Sequence, residues 1–287
     1  MLILGTVPFP LEGVSFGEVH LKEDKLYLAD KPLEICMGTT TLITSCLFTL
    51  TYFKRSSLKA LLVSDYGEGI GSKRLFSWLK KGLVNNYKVI CGHYIMPYVD
   101  EFKDVFPKLK SSAEILICDA GMMYAAKASA LAKEINVFTP DAGEMAFLAD
   151  KDVTHPAYVK KIFFEMDTKD VDFLIKKAWE ENNLSKLALI KGKEDLVVKE
   201  GKVIDRILHP TVKAMEAIGG TGDSVVGILV GLVGAGFSLE RSLRLSAQIN
   251  RTAGKLAKPT PATRIYDIIK FIPKAMEEVM KNEVDTI

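Results

Sequence analysis

Short apolar runs recur through the middle of this chain at intervals that fit alternating strands and helices. Leu61–Ser64, Lys88–Cys91, Glu114–Cys118 and Val137–Thr139 are brief and dominated by aliphatic residues, which predicts buried strands. Between them, Lys73–Leu83, Tyr98–Leu109 and Met122–Lys133 space their apolar residues as helices do. Strands alternating with helices predict a mainly parallel sheet covered on both faces. Right-handed crossovers follow from that arrangement.

The two ends of the chain read differently. Glu18–Lys22 and Lys25–Ala29 flank a short polar turn and predict a hairpin. Thr39–Tyr52 is apolar and long enough for a buried helix, although its threonines lower helix propensity. From Lys186 onward, Leu187–Lys191, Leu196–Lys199 and Lys202–Leu208 predict three strands in quick succession. The Lys199-Glu-Gly-Lys202 turn predicts an antiparallel pair at one sheet edge. The remainder is helical: Asp223–Gly236, Leu239–Leu256 and Ile265–Lys281, with Pro259 and Pro261 between the last two. There is no long linker, low-complexity tract or internal repeat, which predicts a single domain over 1–287 with an unusual segment over 1–55.

Composition narrows the class of protein. Hydrophobic residues make up 48% of 287 residues, enough for a substantial core. Lys and Arg number 38 against 36 for Asp and Glu, so bulk charge gives no case for nucleic acid or an anionic membrane. The longest apolar run, Val225–Phe237, is too short and too glycine-rich to span a bilayer. Its Gly227 and Gly231 predict close packing of a core helix on a sheet. Cys36, Cys46, Cys91 and Cys118 form neither a C-x-x-C pair nor a zinc pattern. The opening Met1-Leu-Ile-Leu-Gly-Thr-Val lacks a basic leader, and a reduced cytoplasmic protein is the simplest expectation.

Candidate chemistry lies in loops that follow the expected strands, where open α/β sheets bind ligands. The most informative is Ile218-Gly219-Gly220-Thr221-Gly222-Asp223, which runs into the apolar helix. A glycine turn opening a helix presents backbone amides and the positive end of the helix dipole to an anion. Asp223 is either a proton acceptor beside a phosphate or a helix-capping residue. Ser64-Asp65-Tyr66-Gly67-Glu68-Gly69-Ile70-Gly71 is a second glycine turn, matching neither a Rossmann nor a P-loop spacing. It reads equally as a plain turn or as a site.

Asp119 closes a strand and faces a substrate or caps the next helix. Asp141 and Glu144 in Thr139-Pro-Asp-Ala-Gly-Glu144 share a face of a helix start. They read as a position for hydrated Mg²⁺ or, with the same spacing, as a capping box. Lys191-Gly192 ends a strand with a cation and a residue that admits a ligand. His20, His93, His155 and His209 do not cluster; His93, at a strand end, reads as a residue that reaches a pocket or, more simply, as a surface histidine.

In order, these loops resemble the ribokinase-like superfamily, and within it the ADP- or ATP-dependent NAD(P)H-hydrate dehydratases. Gly67–Gly71 is similar to that family's G-P-G-L-G. Asp119-Ala120 is similar to the start of D-A-D, and Thr139–Glu144 resembles T-P-H-x-G-E. Lys191-Gly192 falls at the Lys-Gly pair, and Gly220-Thr-Gly-Asp223 matches G-T-G-D. The resemblance covers roughly 60–275. Asp141 stands where the family has histidine, and Gly121 where it has a second aspartate. Ser224-Val-Val-Gly227 and Ser64-Asp-Tyr-Gly67 lean instead toward sugar-kinase members.

The resemblance implies a three-layer α/β/α fold with a mainly parallel central sheet and antiparallel edge strands. It implies phosphoryl transfer from ADP or ATP, with Mg²⁺, to a small molecule bearing a hydroxyl. Asp223 would be the catalytic base. Gly219, Gly220, Thr221, Gly222, Lys191, Gly192 and Asn250 would bind the nucleotide and its phosphates. Gly67, Gly69, Asp119 and Asp141 would bind substrate, and Glu144 would hold the metal through water. Lyase and small-molecule kinase activities share this machinery, and a non-catalytic nucleotide-binding protein would keep it in part. A homo-oligomer is compatible with all three readings.

Overall fold

A computed structural model describes residues 1–55, 57–83, 86–153 and 171–284. His155 lies outside the described residues. Contacts divide the chain into two compact units. One comprises Met1, Phe16–Ala60 and Ile207–Ile287, and the other Leu2–Ser15 with Leu61–Arg206. The fold is mixed α/β, with a largely parallel sheet, antiparallel strands and many helices.

The second unit carries the alternating pattern. Its strands, numbered along the chain, are β1 (Leu2–Val7), β5 (Lys59–Ser64), β6 (Tyr87–His93), β7 (Ala113–Cys118), β8 (Val137–Phe138), β9 (Leu187–Ile190), β10 (Asp195–Lys199) and β11 (Lys202–Ile207). They lie in the order β11-β10-β9-β8-β7-β6-β1-β5. β1 runs parallel to β6, β6 to β7, β7 to β8 and β8 to β9, while β9 and β10 are antiparallel. The Lys199–Lys202 turn joins β10 to its neighbour β11 at the sheet edge. Its helices are α2 (Ile70–Lys80), α3 (Val99–Ser112), α4 (Ala120–Ala128), α5 (Ala142–Ala149) and α6 (Val171–Glu180). A core built on Leu4, Val63, Phe76, Ile90, Phe102 and Phe147 fills the unit.

β1 was not expected from the sequence. All six of its residues are buried, so its pattern is a continuous apolar run without alternation. The helix expected over Met122–Lys133 also ends early. α4 stops at Ala128, Ala130 turns left-handed at φ 58°, and a short 3₁₀ turn over Ala132–Glu134 follows.

The first unit holds the hairpin, extended to a three-strand antiparallel meander of β2 (Val14–Lys22), β3 (Lys25–Leu28) and β4 (Lys31–Leu33). Its helices are α1 (Thr39–Tyr52), α7 (Thr221–Ala235), α8 (Leu239–Ala257), α9 (Ile265–Ile269) and α10 (Ile272–Val284). The single helix expected over Ile265–Lys281 is therefore two, broken at Lys270–Phe271.

α7 corrects another expectation. A Cβ on Gly227 would strike the Leu42 carbonyl and Ser45, and one on Gly231 would strike Thr49. Both glycines thus admit the backbone of α1, a helix rather than a sheet. Ile228, Leu232, Leu245, Ile249, Ile268 and Met276 form the core beneath these helices.

Candidate active site

Each unit gathers part of the candidate chemistry. In the first unit the glycine turn opens α7. Gly220 is the N-terminal cap at φ 100°, a left-handed conformation that favours glycine, and a Cβ there would also crowd Ile265. No side chain among the described residues accepts from the amides of Gly219, Gly220, Thr221 or Gly222. Those amides lie at the positive end of the helix dipole, with donors left over for an acceptor from outside the turn.

Asp223, the third residue of α7, is buried and does not cap its own helix. Its Oδ2 accepts from the Gly38 amide at 2.6 Å, at the start of α1. Gly38 has φ 97° and precedes the first turn of that helix. Asn250 on α8 is equally committed. Its Nδ2 donates to the Thr221 carbonyl at 3.1 Å, and its Oδ1 accepts from the Ser224 hydroxyl at 2.6 Å. Asn250 therefore ties down the first turn of α7, a placement that a buried polar side chain needs in order to be satisfied. Sequence spacing gave no sign of this bond, because the partners are 26 residues apart.

In the second unit a polar cluster lies at the carboxyl ends of four neighbouring parallel strands. His93 ends β6, Asp119 follows β7, Thr139 follows β8 and Lys191 follows β9. Lys191 Nζ and Thr139 Oγ1 donate to Asp119 Oδ1 at 2.8 and 2.7 Å. His93 Nε2 lies 3.4 Å from Asp119 Oδ2. Burial alone would raise the Asp119 pKa, but the Lys191 ammonium and His93 hold it well below the usual carboxylate range.

His93 is fully buried, which overturns its reading as a surface residue. A strand-end histidine after an apolar run was the available signal. Asp119 also precedes Ala120, whose φ of 47° is costly for a residue with a side chain. Gly121 has a packing reason. A Cβ there would collide with the Ile95 carbonyl oxygen, so the second aspartate of the related motif has no room.

Asp141 and Glu144 form a reciprocal capping box on α5. The Glu144 amide donates to Asp141 Oδ1 and the Asp141 amide to Glu144 Oε2, each at 2.8 Å. Glu144 Oε1 accepts from the Tyr124 hydroxyl at 2.5 Å. Burial raises the Glu144 pKa to about 7, with Asp119 and Asp141 adding to the rise against the opposing pull of Lys191. Both Glu144 carboxylate oxygens thus already accept a hydrogen bond within this cap. Lys127 on α4 holds the other end of α5, donating to the Phe147 and Asp150 carbonyls at 2.8 and 2.5 Å.

Gly67 and Gly69 belong to a turn closed on itself. Asp65 Oδ1 accepts from the Gly67 and Gly69 amides, and Oδ2 from the Ser72 amide and hydroxyl, at 2.9–3.1 Å. Gly69 lies against the Tyr98 ring, where a Cβ would clash. Lys191 and Gly192 are held likewise. The Lys191 amide donates to the Pro140 carbonyl at 2.8 Å, and the Gly192 amide to Asp195 Oδ1 at 3.0 Å.

The sequence model of the carbohydrate-kinase-like family described as NAD(P)H-hydrate dehydratase matches residues 98–274. The chain belongs to that family, within the ribokinase-like superfamily. The match begins after the Gly67–Gly71 turn and includes Asp119, Asp141, Lys191 and Asp223.

Protein MJ1337 of Methanocaldococcus jannaschii, itself uncharacterised, is 39% identical over 240 residues, which cover 84% of this chain and all of that protein. Bacillus subtilis YxkO has a similar fold, with a TM-score of 0.58 at 14% identity over 96% of this chain and 91% of its own. The ADP/ATP-dependent NAD(P)H-hydrate dehydratase of Bacillus subtilis, crystallised with ATP and Mg²⁺, gives 0.56 at 13% over 83% and 84%. Staphylococcus aureus pyridoxal kinase bound to pyridoxal gives 0.55 at 12% over 88% and 86%.

Proposed function

We propose that this protein is a nucleotide-dependent phosphoryl-transfer enzyme, acting as an NAD(P)H-hydrate dehydratase. The observation that carries the reading is the start of α7, a glycine turn with uncapped amides and a buried carboxylate in the same helical turn. Family membership supports it. The donor is ADP or ATP, and the acceptor is a hydroxyl on a small molecule.

The amides from Gly219 to Gly222 hold the transferring phosphoryl group and stabilise charge on its oxygens. The Asp223 carboxylate accepts the proton of the attacking hydroxyl as its oxygen bonds to phosphorus. The bond from phosphorus to the nucleotide's bridging oxygen breaks, and the shortened nucleotide keeps that electron pair. In the dehydratase reaction, the C–O bond then breaks and the new phosphate leaves with its electron pair, while the neighbouring carbon gives up a proton to the departing phosphate and its C–H electrons form the double bond. Asn250 positions the turn through the Thr221 carbonyl.

The test supplies hydrated NADH with ADP or ATP and follows regeneration of NADH together with release of phosphate. Regeneration that requires nucleotide supports the lyase. A stable phosphorylated product without NADH recovery supports a small-molecule kinase, which the residues Ser224–Gly227 favour. Binding of nucleotide without turnover on either class of substrate overturns the enzymatic reading.

A further inference from the structure

The structure assigns a second ligand site, outside the candidate active site, to a basic groove along α2. We propose that it binds a nucleoside phosphate. The groove encloses about 400 Å³, within the range of small-molecule sites, and lies entirely in the second unit.

Its apolar wall is Val14, Ile70 and the half-buried Trp78, and its charged wall is Lys73, Arg74 and Lys81. Helical spacing explains the arrangement. Ile70, Arg74, Trp78 and Lys81 recur at intervals of four, four and three and therefore share a stripe.

No carboxylate lines the groove, and Lys73, Arg74 and Lys81 form no ion pair among the described residues. The neighbouring Lys80, by contrast, is paired with Asp104 at 2.8 Å. Lys73 stands 4.8 Å over the Tyr98 ring. Ile70 is 54% exposed, so an apolar surface stands open beside three cations. An aromatic base against Trp78 and Ile70, with its phosphate between the cations, matches that pairing. Inorganic phosphate satisfies only the charged wall.

The chain has two tryptophans, Trp78 and Trp179, so Trp179→Phe leaves Trp78 as a local reporter. AMP is titrated into that variant, with inorganic phosphate as the second probe, and bound AMP is counted by equilibrium dialysis. The expected result is saturable quenching of Trp78 by AMP, stronger than by phosphate. Arg74→Glu with Lys81→Glu should weaken it by about tenfold or more. Both residues are exposed, and thermal melting verifies that the double variant folds. Asp223→Asn should leave the quenching unchanged.

Equal AMP affinity in the charge-reversed variant would overturn the proposal, as would an absence of quenching. Equal binding of phosphate and AMP would remove the nucleoside from it. Loss of quenching in Asp223→Asn would return the ligand to the α7 turn.

Discussion

The starts of α2 and α7 look alike in sequence and differ in what they hold. Both open on a left-handed glycine cap, Gly69 at φ 78° and Gly220 at φ 100°. Both have an aspartate within four residues of that cap. At α2, Asp65 folds back and takes three amides and a hydroxyl, so the chain supplies its own anion. At α7, Asp223 turns away to the amide of Gly38, and among the described residues no side chain accepts from the glycine amides. A glycine-rich helix start therefore keeps its amides for an outside acceptor only when no nearby carboxylate occupies them. Side-chain direction decides which case holds, and spacing does not encode that direction.

The largest expected effect separates the two aspartates. Asp223→Asn should fold normally and lose about 10²- to 10⁴-fold in turnover. Asp65→Asn should change turnover by no more than a few-fold. Steady-state rates for both variants check this, and near-full activity in Asp223→Asn would remove it as the base.

The glycines give the next contrast. Gly220→Ala combines backbone strain with contact on Ile265 and should cost about 2–4 kcal/mol. Gly67→Ala, at φ 93° but with no atom within 4 Å of a new Cβ, should cost about 1 kcal/mol. Urea unfolding compares them, and equal costs would mean that packing around Gly220 has no role.

Asp65→Ala should destabilise by about 2 kcal/mol at neutral pH, because it empties a cap with four donors. Partial burial works to raise the Asp65 pKa, but the Ser72, Gly69 and Gly67 donors hold it below its ordinary 3.8. Its stabilisation is present above that unfolded value and is lost as pH falls through the lower folded one. The gap between wild type and Asp65→Ala should thus close in acid. A gap independent of pH would show that the carboxylate charge is not what the amides recognise.

A last contrast concerns α5, whose start is also filled by a carboxylate. Burial raises Glu144 from 4.5 to about 7, so the folded protein holds an extra proton between those values. Stability from this residue falls as pH rises across that window. Glu144→Gln should flatten that slope in melts at a series of pH values. An unchanged slope would assign the titration to another group.

Much of this was legible in the chain. The alternating strands, the β2–β3 hairpin, α1, and the order of the candidate loops followed from periodicity and turn residues. β1 escaped because a strand buried on both faces has no alternation to detect. The break between α9 and α10 escaped because Ile265–Lys281 keeps helical spacing across it. His93 escaped because a lone histidine at a strand end carries no mark of the carboxylate it will meet. The bonds of Asn250 to Ser224 and Thr221 escaped because they span 26 and 29 residues.

By itself the sequence determined where strands and helices alternate and which loops carry glycine, carboxylate and lysine, since those are local properties of backbone and side chain. Tertiary structure alone decided which carboxylates were spent. It filled the α2 turn with Asp65, closed Asp141 and Glu144 into a cap, and set Lys191 on Asp119. Among the described residues, it left the amides of the α7 turn without a side-chain partner. The physical reason is that a buried polar group must find a partner in space. Except in short-range caps and turns, that partner comes from another part of the chain, at a separation no local pattern records.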